Sequence, residues 1–283
     1  MSRLQELEKT KIGVEAMVQM SSVFEGIASM KIAKIKNQVL QANEFFDALW
    51  KIYTQLRVDS LFRFGRNENE NVIDKELFIV ITAEGGFSGD IDQKLIRYML
   101  ESYKSEKHEI IVIGHHGAVQ LAQKGISFKK YFKLPEKDQN INVTPIIKYV
   151  QQYKTASVFY QQYVSLMVQD VRRIELSKAV AEQGKKTEKS DEVISEANYI
   201  FEPSTYAVVG HLERSMMQIM IEQLILDSKL AQYASRFRAM SASHQMADDQ
   251  LYDVNMLYNR AKRAIKDERL KEIINGLRKA SKR

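Results

Sequence analysis

Three groups of residues in this 283-residue chain are of a kind that could do chemistry. The first is Glu84-Gly85-Gly86-Phe87-Ser88-Gly89-Asp90-Ile91, a glycine-rich turn between an apolar β-branched run and an amphipathic stretch. A turn that hands a strand over to a helix can hold phosphate on the helix N-terminus. This one is neither G-x-G-x-x-G nor a Walker A loop, and its acidic residues Asp90 and Asp92 would repel phosphate but suit a helix cap. A phosphate cradle and a purely structural turn both stay open, with the carboxylates weighing towards the second. The next group is His115-His116, set in Gly114-His115-His116-Gly117. Adjacent side chains converge poorly on one metal, and no carboxylate cluster lies nearby in sequence, so zinc is disfavoured. The third is the charged run that includes Arg260, Lys262, Arg263, Lys266, Asp267, Glu268, Arg269, Lys271 and Glu272. It is either a solvated face pairing with itself, as Glu268 and Glu272 could with Arg269 and Lys271, or a collar that grips loops of a surrounding protein. No Ser-His-Asp set or carboxylate pair stands out, so no catalytic residue and no metal site is assigned. His244 reads as a packed or hydrogen-bonded core residue, with a pH switch as the alternative.

These groups need elements to hold them. Between Ser204 and Asn275 there is no proline and a single glycine, Gly210. Down that length runs a seam of Leu212, Met216, Ile219, Gln223, Leu226, Leu230, Tyr233, Phe237, Met240, His244, Ala247, Leu251, Val254, Tyr258, Ala261 and Ile265. Steps of four and three alternate without a slip, which is a coiled-coil period. A helix of some 70 residues would be a rod of roughly 105 Å, and such a rod needs a partner along its length. Residues 1 to about 60 supply a second long helix. Its distal half repeats the spacing at Ala28, Ile32, Ile35, Val39, Ala42, Phe46, Leu49, Tyr53 and Leu56. Nearer the start the same register meets Lys11, Ser21 and Glu25, while apolar residues shift to Ile12, Met17, Met20, Phe24 and Ile27. That shift predicts an imperfect seam, a changed supercoil, or contact with something other than the C-terminal helix.

Between the helices the period becomes that of strands, after a polar turn at Phe64–Asn71. Leu77–Thr82 and Ile110–Ile113 suit a buried parallel sheet, and Ile91–Tyr103 between them is amphipathic, completing a βαβ unit. A short helix over Ala118–Lys124, a third strand within Gly125–Phe132 and a helix over Ile146–Tyr153 follow. Ser157–Leu176 alternates as one or two strands with one polar face. Ala179–Ala197 is charged and predicts a mobile loop. Asn198–Glu202 predicts a short strand, ended by Pro203, with Ser204 or Thr205 capping the last helix. The fold class is therefore α/β: an antiparallel two-helix coiled coil of the terminal helices with an inserted Rossmann-like α/β domain. Its boundaries fall at residues 1–62, 72–203 and 204–283.

Composition narrows the role. No run of 18 apolar residues exists, so no span is expected. The start runs straight into helical pattern, which predicts no secretory signal. Zero cysteines exclude disulfides and thiolate metal sites and agree with a cytoplasmic location. The net charge of +6 is spread out rather than gathered into a nucleic-acid stripe.

With these residues in place, the chain resembles the γ subunit of F-type ATP synthase, the central rotor of its F1 sector. Ala83–Ile91 is similar to that family's LCGGFNTNI, and Ile113–Gly117 to its IGKKG. Tyr199–Ser204 reproduces YIFEPS unchanged. Leu257–Gly276 follows its YNKARQA…EI..G segment. The resemblance runs the whole length in order. It implies a coiled coil standing in an α3β3 ring, a Rossmann-like foot meeting ε and the c-ring of the membrane sector, and chemistry confined to β. No cofactor, no nucleic acid and no direct membrane contact are implied, and the place is the cytoplasmic face of the cell membrane, peripheral, in the bacterial manner. By position, the family's RQ pair, which contacts a β loop, falls on Lys262 and Arg263, and its IT pair on Lys266 and Asp267. Gly85, Gly86, Phe87, Gly114, Gly117, Glu202 and Pro203 fall on its structural motifs. The departures include an Arg for Gln at 263, an Asp for Thr at 267, a basic tail from Lys279, a run at Ser243–Ala247 that keeps only Ala247 of the family's ATDNA, and a poorly kept N-terminal segment. A γ-like rotor of a specialised F1-like ATPase fits these departures too. A stand-alone coiled-coil scaffold and a nucleotide-binding enzyme are the readings from other classes.

Overall fold

The computed structural model describes residues 3–56, 72–138, 141–185, 200–202 and 204–280. In chain order the elements are α1 (Arg3–Gln55), β1 (Ile73–Ile81), α2 (Ile91–Ser102), β2 (His108–Ile113), α3 (His115–Gln123), β3 (Lys130–Phe132), α4 (Thr144–Val150), β4 (Tyr153–Tyr163), β5 (Gln169–Glu175), α5 (Leu176–Lys185) and α6 (Thr205–Ala280). The turn expected at Phe64–Asn71 lies outside the described residues. The chain divides into two compact units. One combines Met1–Ile27 with Phe237–Arg283, and the other is Ala28–Arg236.

In the first unit the seam dictates burial. Met240 and Ala247 of α6 are buried, His244, Leu251, Val254, Tyr258, Ala261 and Ile265 are half-buried, and the rest of α6 beyond Ala247 is largely exposed. Opposite them on α1, Lys11, Val14, Val18, Ser21 and Glu25 turn inward. The helices run antiparallel: Glu25 meets His244 and, nearer the start of α1, Lys11 sits over Tyr258, further along α6. The four-three register thus passes unchanged through the polar positions Lys11, Ser21 and Glu25. The seam is imperfect in composition there, with polar residues at three of its positions. Ile12, Met17, Met20 and Ile27 have not replaced the seam; they are exposed at 60%, 57%, 59% and 40%. Phe24 alone of that group is half-buried.

In the second unit α1 and α6 continue antiparallel, with Gln223 donating to Asn43 at 2.9 Å and Tyr53 to Glu213 at 3.4 Å. Leu49, Tyr53 and Leu56 pack on Val208, Val209 and Leu212. Ser204 caps α6, its Oγ accepting the Ala207 N–H at 3.3 Å, as its position before the helix requires.

The sheet has the order β3-β2-β1-β4-β5. β1 pairs in parallel with β2 and β4, β2 in parallel with β3, and β4 with β5 as an antiparallel hairpin. Phe78, Val80, Ile110, Val112 and Phe159 pack with Leu95, Ile96 and Met99 of α2 and Leu121 of α3 on one face. The alternate residues Leu77, Ile79, Ile81, Ile111, Ile113 and Val158 are fully buried on the other. Burial on both faces explains the unbroken apolar runs of β1 and β2.

Three local expectations need correction. The loop expected from Ala179 begins instead inside α5, which buries Leu176, Ala179 and Val180; three apolar residues at i, i+3 and i+4 suffice for one helical face. Residues 186–197 of that expected loop lie outside the described residues. The helix expected to reach Tyr153 stops at Val150, and Tyr153 opens β4. Ile200–Glu202, the described part of the strand expected over Asn198–Glu202, is not a strand.

Candidate functional site

In a doubly wound sheet, ligands bind outside the carboxyl ends of the strands where the strand order reverses. Here that point lies between β1 and β4, and the glycine-rich turn, both adjacent histidines and Asp92 all sit beside it. Its foundation is Thr82, just past β1. The Thr82 Oγ1 hydrogen-bonds the carbonyls of Ile113 and Gly114 and accepts the Gly117 N–H at 2.9 Å. This approach leaves no room for side chains. A Cβ on Gly114 would stand 2.1 Å from the Thr82 carbonyl oxygen, and one on Gly117 2.7 Å from its Oγ1. Gly114 also has a φ of 100°, which L side chains rarely adopt.

Two carboxylates organise the polar groups around it. Glu84 accepts the backbone N–H groups of His115 and Leu134, each at 3.1 Å, and the Tyr131 hydroxyl at 2.9 Å. Asp92 is 3% exposed and accepts the Ala83 N–H at 3.1 Å, the Gln161 amide at 2.7 Å and His116 Nδ1 at 3.0 Å. Burial pushes the Asp92 carboxyl above its ordinary range, against the pull of its donors from Ala83, His116 and Gln161. Neither acidic residue of the turn caps α2 as the sequence suggests. Asp90 occupies the N-cap position without a side-chain cap bond and pairs with Lys94 at 3.0 Å, while Asp92 faces the interior.

The crevice itself is taken by α6. Gln161 accepts hydrogen bonds from Ser228 and, at 3.2 Å, from Gln232. Ser235 donates to the Ser88 carbonyl at 2.7 Å. Arg236 reaches the carbonyls of Gly86 at 3.1 Å and Gly85 at 3.4 Å and the Ser88 hydroxyl at 3.2 Å. A polar chain therefore runs from His116 through Asp92 and Gln161 to the long helix. The turn serves as a joint between module and helix. Below it Lys229, nearly buried, donates to Asp138 and to the Pro135 carbonyl at 2.8 Å, and Lys31 of α1 pairs with the same Asp138 at 3.2 Å.

Some predicted positions meet here and others do not. Gly114 and Gly117 build the Thr82 contact. Gly85 and Gly86 present carbonyls to Arg236, yet a Cβ on Gly86 would meet nothing within 4 Å. The left-handed conformation of the turn falls on Phe87, at φ 68°, and on Gly89, at φ 64°. Glu202 is exposed at a bend before α6, and Pro203 lies outside the described residues. Lys262, Arg263, Lys266 and Asp267 belong to the other unit and are all exposed. Lys262 lies over the Tyr258 ring at 5.8 Å. Among the described residues, Arg263, Lys266 and Asp267, like Glu268, Arg269, Lys271 and Glu272, have no ion-pair partner, so the self-pairing reading of this run fails. Every described residue from 266 to 278 is exposed, including Leu270, Ile273 and Leu277 at 60%, 63% and 67%.

Sequence reasoning missed Asp92 as a hub, Gln161, Ser228, Gln232 and Arg236. A signal existed: Met217, Met220, Ile221, Leu224, Ile225, Ala231 and Ala234 lie off the seam yet are apolar, marking a second buried face on that part of α6. Among the described residues no three His, Asp or Glu are grouped to hold a metal ion, and no helix is long and apolar enough to cross a membrane.

Known proteins share this arrangement. The profile of the ATP synthase family matches residues 3–278. The ATP synthase gamma chain of Rickettsia bellii is 24% identical over 292 residues, covering 98% of this chain and 99% of that one. That of Pelotomaculum thermopropionicum is 24% identical and covers 98% of each. A chain in a cryo-EM structure of the Euglena gracilis mitochondrial ATP synthase, OSCP/F1/c-ring in rotational state 3, superposes with a TM-score of 0.64 at 15% identity, covering 97% of this chain and 93% of that chain. The family match over residues 3–278, with gamma-chain relatives covering nearly the whole chain, places this chain in the ATP synthase gamma-chain family.

Proposed function

We propose that this chain is the central rotor stalk of an F-type ATP synthase, coupling proton or sodium flow through a membrane sector to ATP synthesis or hydrolysis by rotation. Its reading as a rotor rests on one observation above all: the paired helices keep two faces uncovered. Along α1, Ile12, Met20, Val23, Ile27 and Met30 expose 40–67% of their surface, on the side away from the seam. Near the end of α6, Glu268, Arg269, Lys271 and Glu272, which have no ion-pair partner among the described residues, flank exposed Leu270, Ile273 and Leu277. An uncovered apolar stripe of this extent marks a contact surface.

In this proposal the two faces meet α and β subunits of a surrounding α3β3 ring. One face is apolar and the other charged, so each β subunit meets a different surface. The β states are then selected by differences in contact free energy, and rotation advances the difference from one subunit to the next. Lys262, Arg263, Lys266 and Asp267 grip β loops. The α/β module contacts an ε-type subunit and the c-ring, and the complex holds the chain at the cytoplasmic face of the membrane. The working parts are residues 1–62, 72–203 and 204–283.

The experiment is co-purification of the chain from its native cell with its complex. The rotor reading expects one copy with three α and three β. A chain that elutes alone and has no affinity for an α3β3 ring would establish the scaffold reading instead. Within an assembled complex, changing Lys262 and Arg263 together to Ala is expected to lower coupled ATPase with the fold intact. Full coupling and torque in that variant would remove those two residues from the grip. A second reading, a γ-like rotor of a specialised F1-like ATPase, is favoured by Arg263 and Asp267 standing where the family has Gln and Thr. Ring subunits that differ from those of the cell's synthase would select it.

A further inference from the structure

His244 interrupts an apolar stretch of the seam, between buried Met240 and Ala247. Its two ring nitrogens face two carboxylates. Nδ1 lies 3.6 Å from Glu25 of α1, and Nε2 lies 3.5 Å from Asp248, one turn further along α6. At these separations the contacts are ion pairs rather than hydrogen bonds, so they attract only when the ring carries a charge. Among the described residues Glu25 and Asp248 have no other ion-pair partner. The nearby Ser21 hydroxyl is committed to the Met17 carbonyl at 2.5 Å. With the ring neutral, this place on the seam holds two negative charges and no cation. With the ring protonated, it holds a cross-helix bridge.

We propose that His244 is a proton-operated clasp between α1 and α6 within the first unit, closed by protonation and released when the ring is neutral. The groups facing it are Glu25 from α1 and Asp248 from its own helix. The clasp depends on no partner, because all three side chains belong to this chain. Its effect is to make the coil around residues 21–27 and 240–248 firmer when the ring carries a charge.

The five histidines of the chain make this testable, since the other four, His108, His115, His116 and His211, all lie in the second unit. Backbone hydrogen exchange of the full chain at pH 6 and pH 8, corrected for intrinsic rates, reads the clasp in peptides spanning 17–28 and 237–251. Wild type is expected to exchange several-fold more slowly at pH 6 than at pH 8 in both peptides. His244→Gln is expected to abolish the difference, Glu25→Gln to abolish it in the α1 peptide, and His244→Lys, a fixed cation, to protect at both pH values. The proposal is overturned if wild type shows no difference, or if His244→Gln keeps it.

Discussion

Asp227 shows how burial turns a single side chain into a pH-dependent load. It projects from α6 towards the end of β4, where its carboxylate accepts the Tyr163 N–H at 3.3 Å. Burial pushes its pKa up to about 6, against the pull of that hydrogen bond. A folded-state pKa above the unfolded value means the group favours folding at low pH, with that contribution lost as pH rises through about 6. Asp227→Asn is therefore expected to raise stability by about 1–3 kcal/mol near pH 7.5 and to change it little below pH 4. Urea denaturation at the two pH values checks this, and an equal effect at both would refute it. The glycines give a second residue-scale contrast. Gly114→Ala places a Cβ against the Thr82 carbonyl and in a disfavoured φ, so a loss of about 3 kcal/mol or more is expected. Gly86→Ala, with open space around it, is expected to cost under about 0.5 kcal/mol. The sequence marks both as motif glycines and cannot separate them. Only the packing of Thr82 against the β2–α3 turn decides which one is sterically required.

For the elements, the long helices were the most legible part. A four-three repeat needs only the identity of each residue, and every seam position from Leu212 to Ile265 is buried or half-buried. In the early part of α1 the apolar residues and the packed face part company. There the seam carries Lys11, Ser21 and Glu25, whose long stems or small size tolerate half-burial, while the greasier side faces outward. Two substitutions separate the faces. Ile35→Asp puts a charge on a fully buried seam position and is expected to cost about 3–5 kcal/mol. Met20→Glu is expected to change the stability of the isolated chain by under about 0.5 kcal/mol yet to weaken its binding to an α3β3 ring. Thermal melts and ring-binding assays read the two effects apart. The hairpin of β4 and β5 was visible as alternation, and β3, only three residues long, was visible as a span but not in its bounds.

At the level of the whole molecule, the two compact units carry different chemistry. The Ala28–Arg236 unit is densely tied, with α6 filling the sheet's crevice. The other unit carries exposed apolar and charged residues along both of its helices. Removing residues 266–283 takes away a described stretch that is exposed throughout up to Arg278. The melting temperature is expected to shift by no more than a few degrees, while ATPase turnover of an assembled ring falls several-fold. A truncated chain that unfolds would mean those residues support the fold itself.

The sequence by itself determined the two helices, their antiparallel pairing, the α/β insertion and the family, because periodicity and short motifs are local properties that survive without coordinates. Tertiary structure alone decided what the glycine-rich turn is for. Asp92, His116, Gln161, Ser228 and Arg236 are scattered over more than a hundred positions. They become one polar joint only when β1 and β4 lie side by side and α6 closes the crevice between their ends. A turn that could have cradled phosphate is occupied by the helix, since buried carbonyls and carboxylates must find donors and α6 brings them.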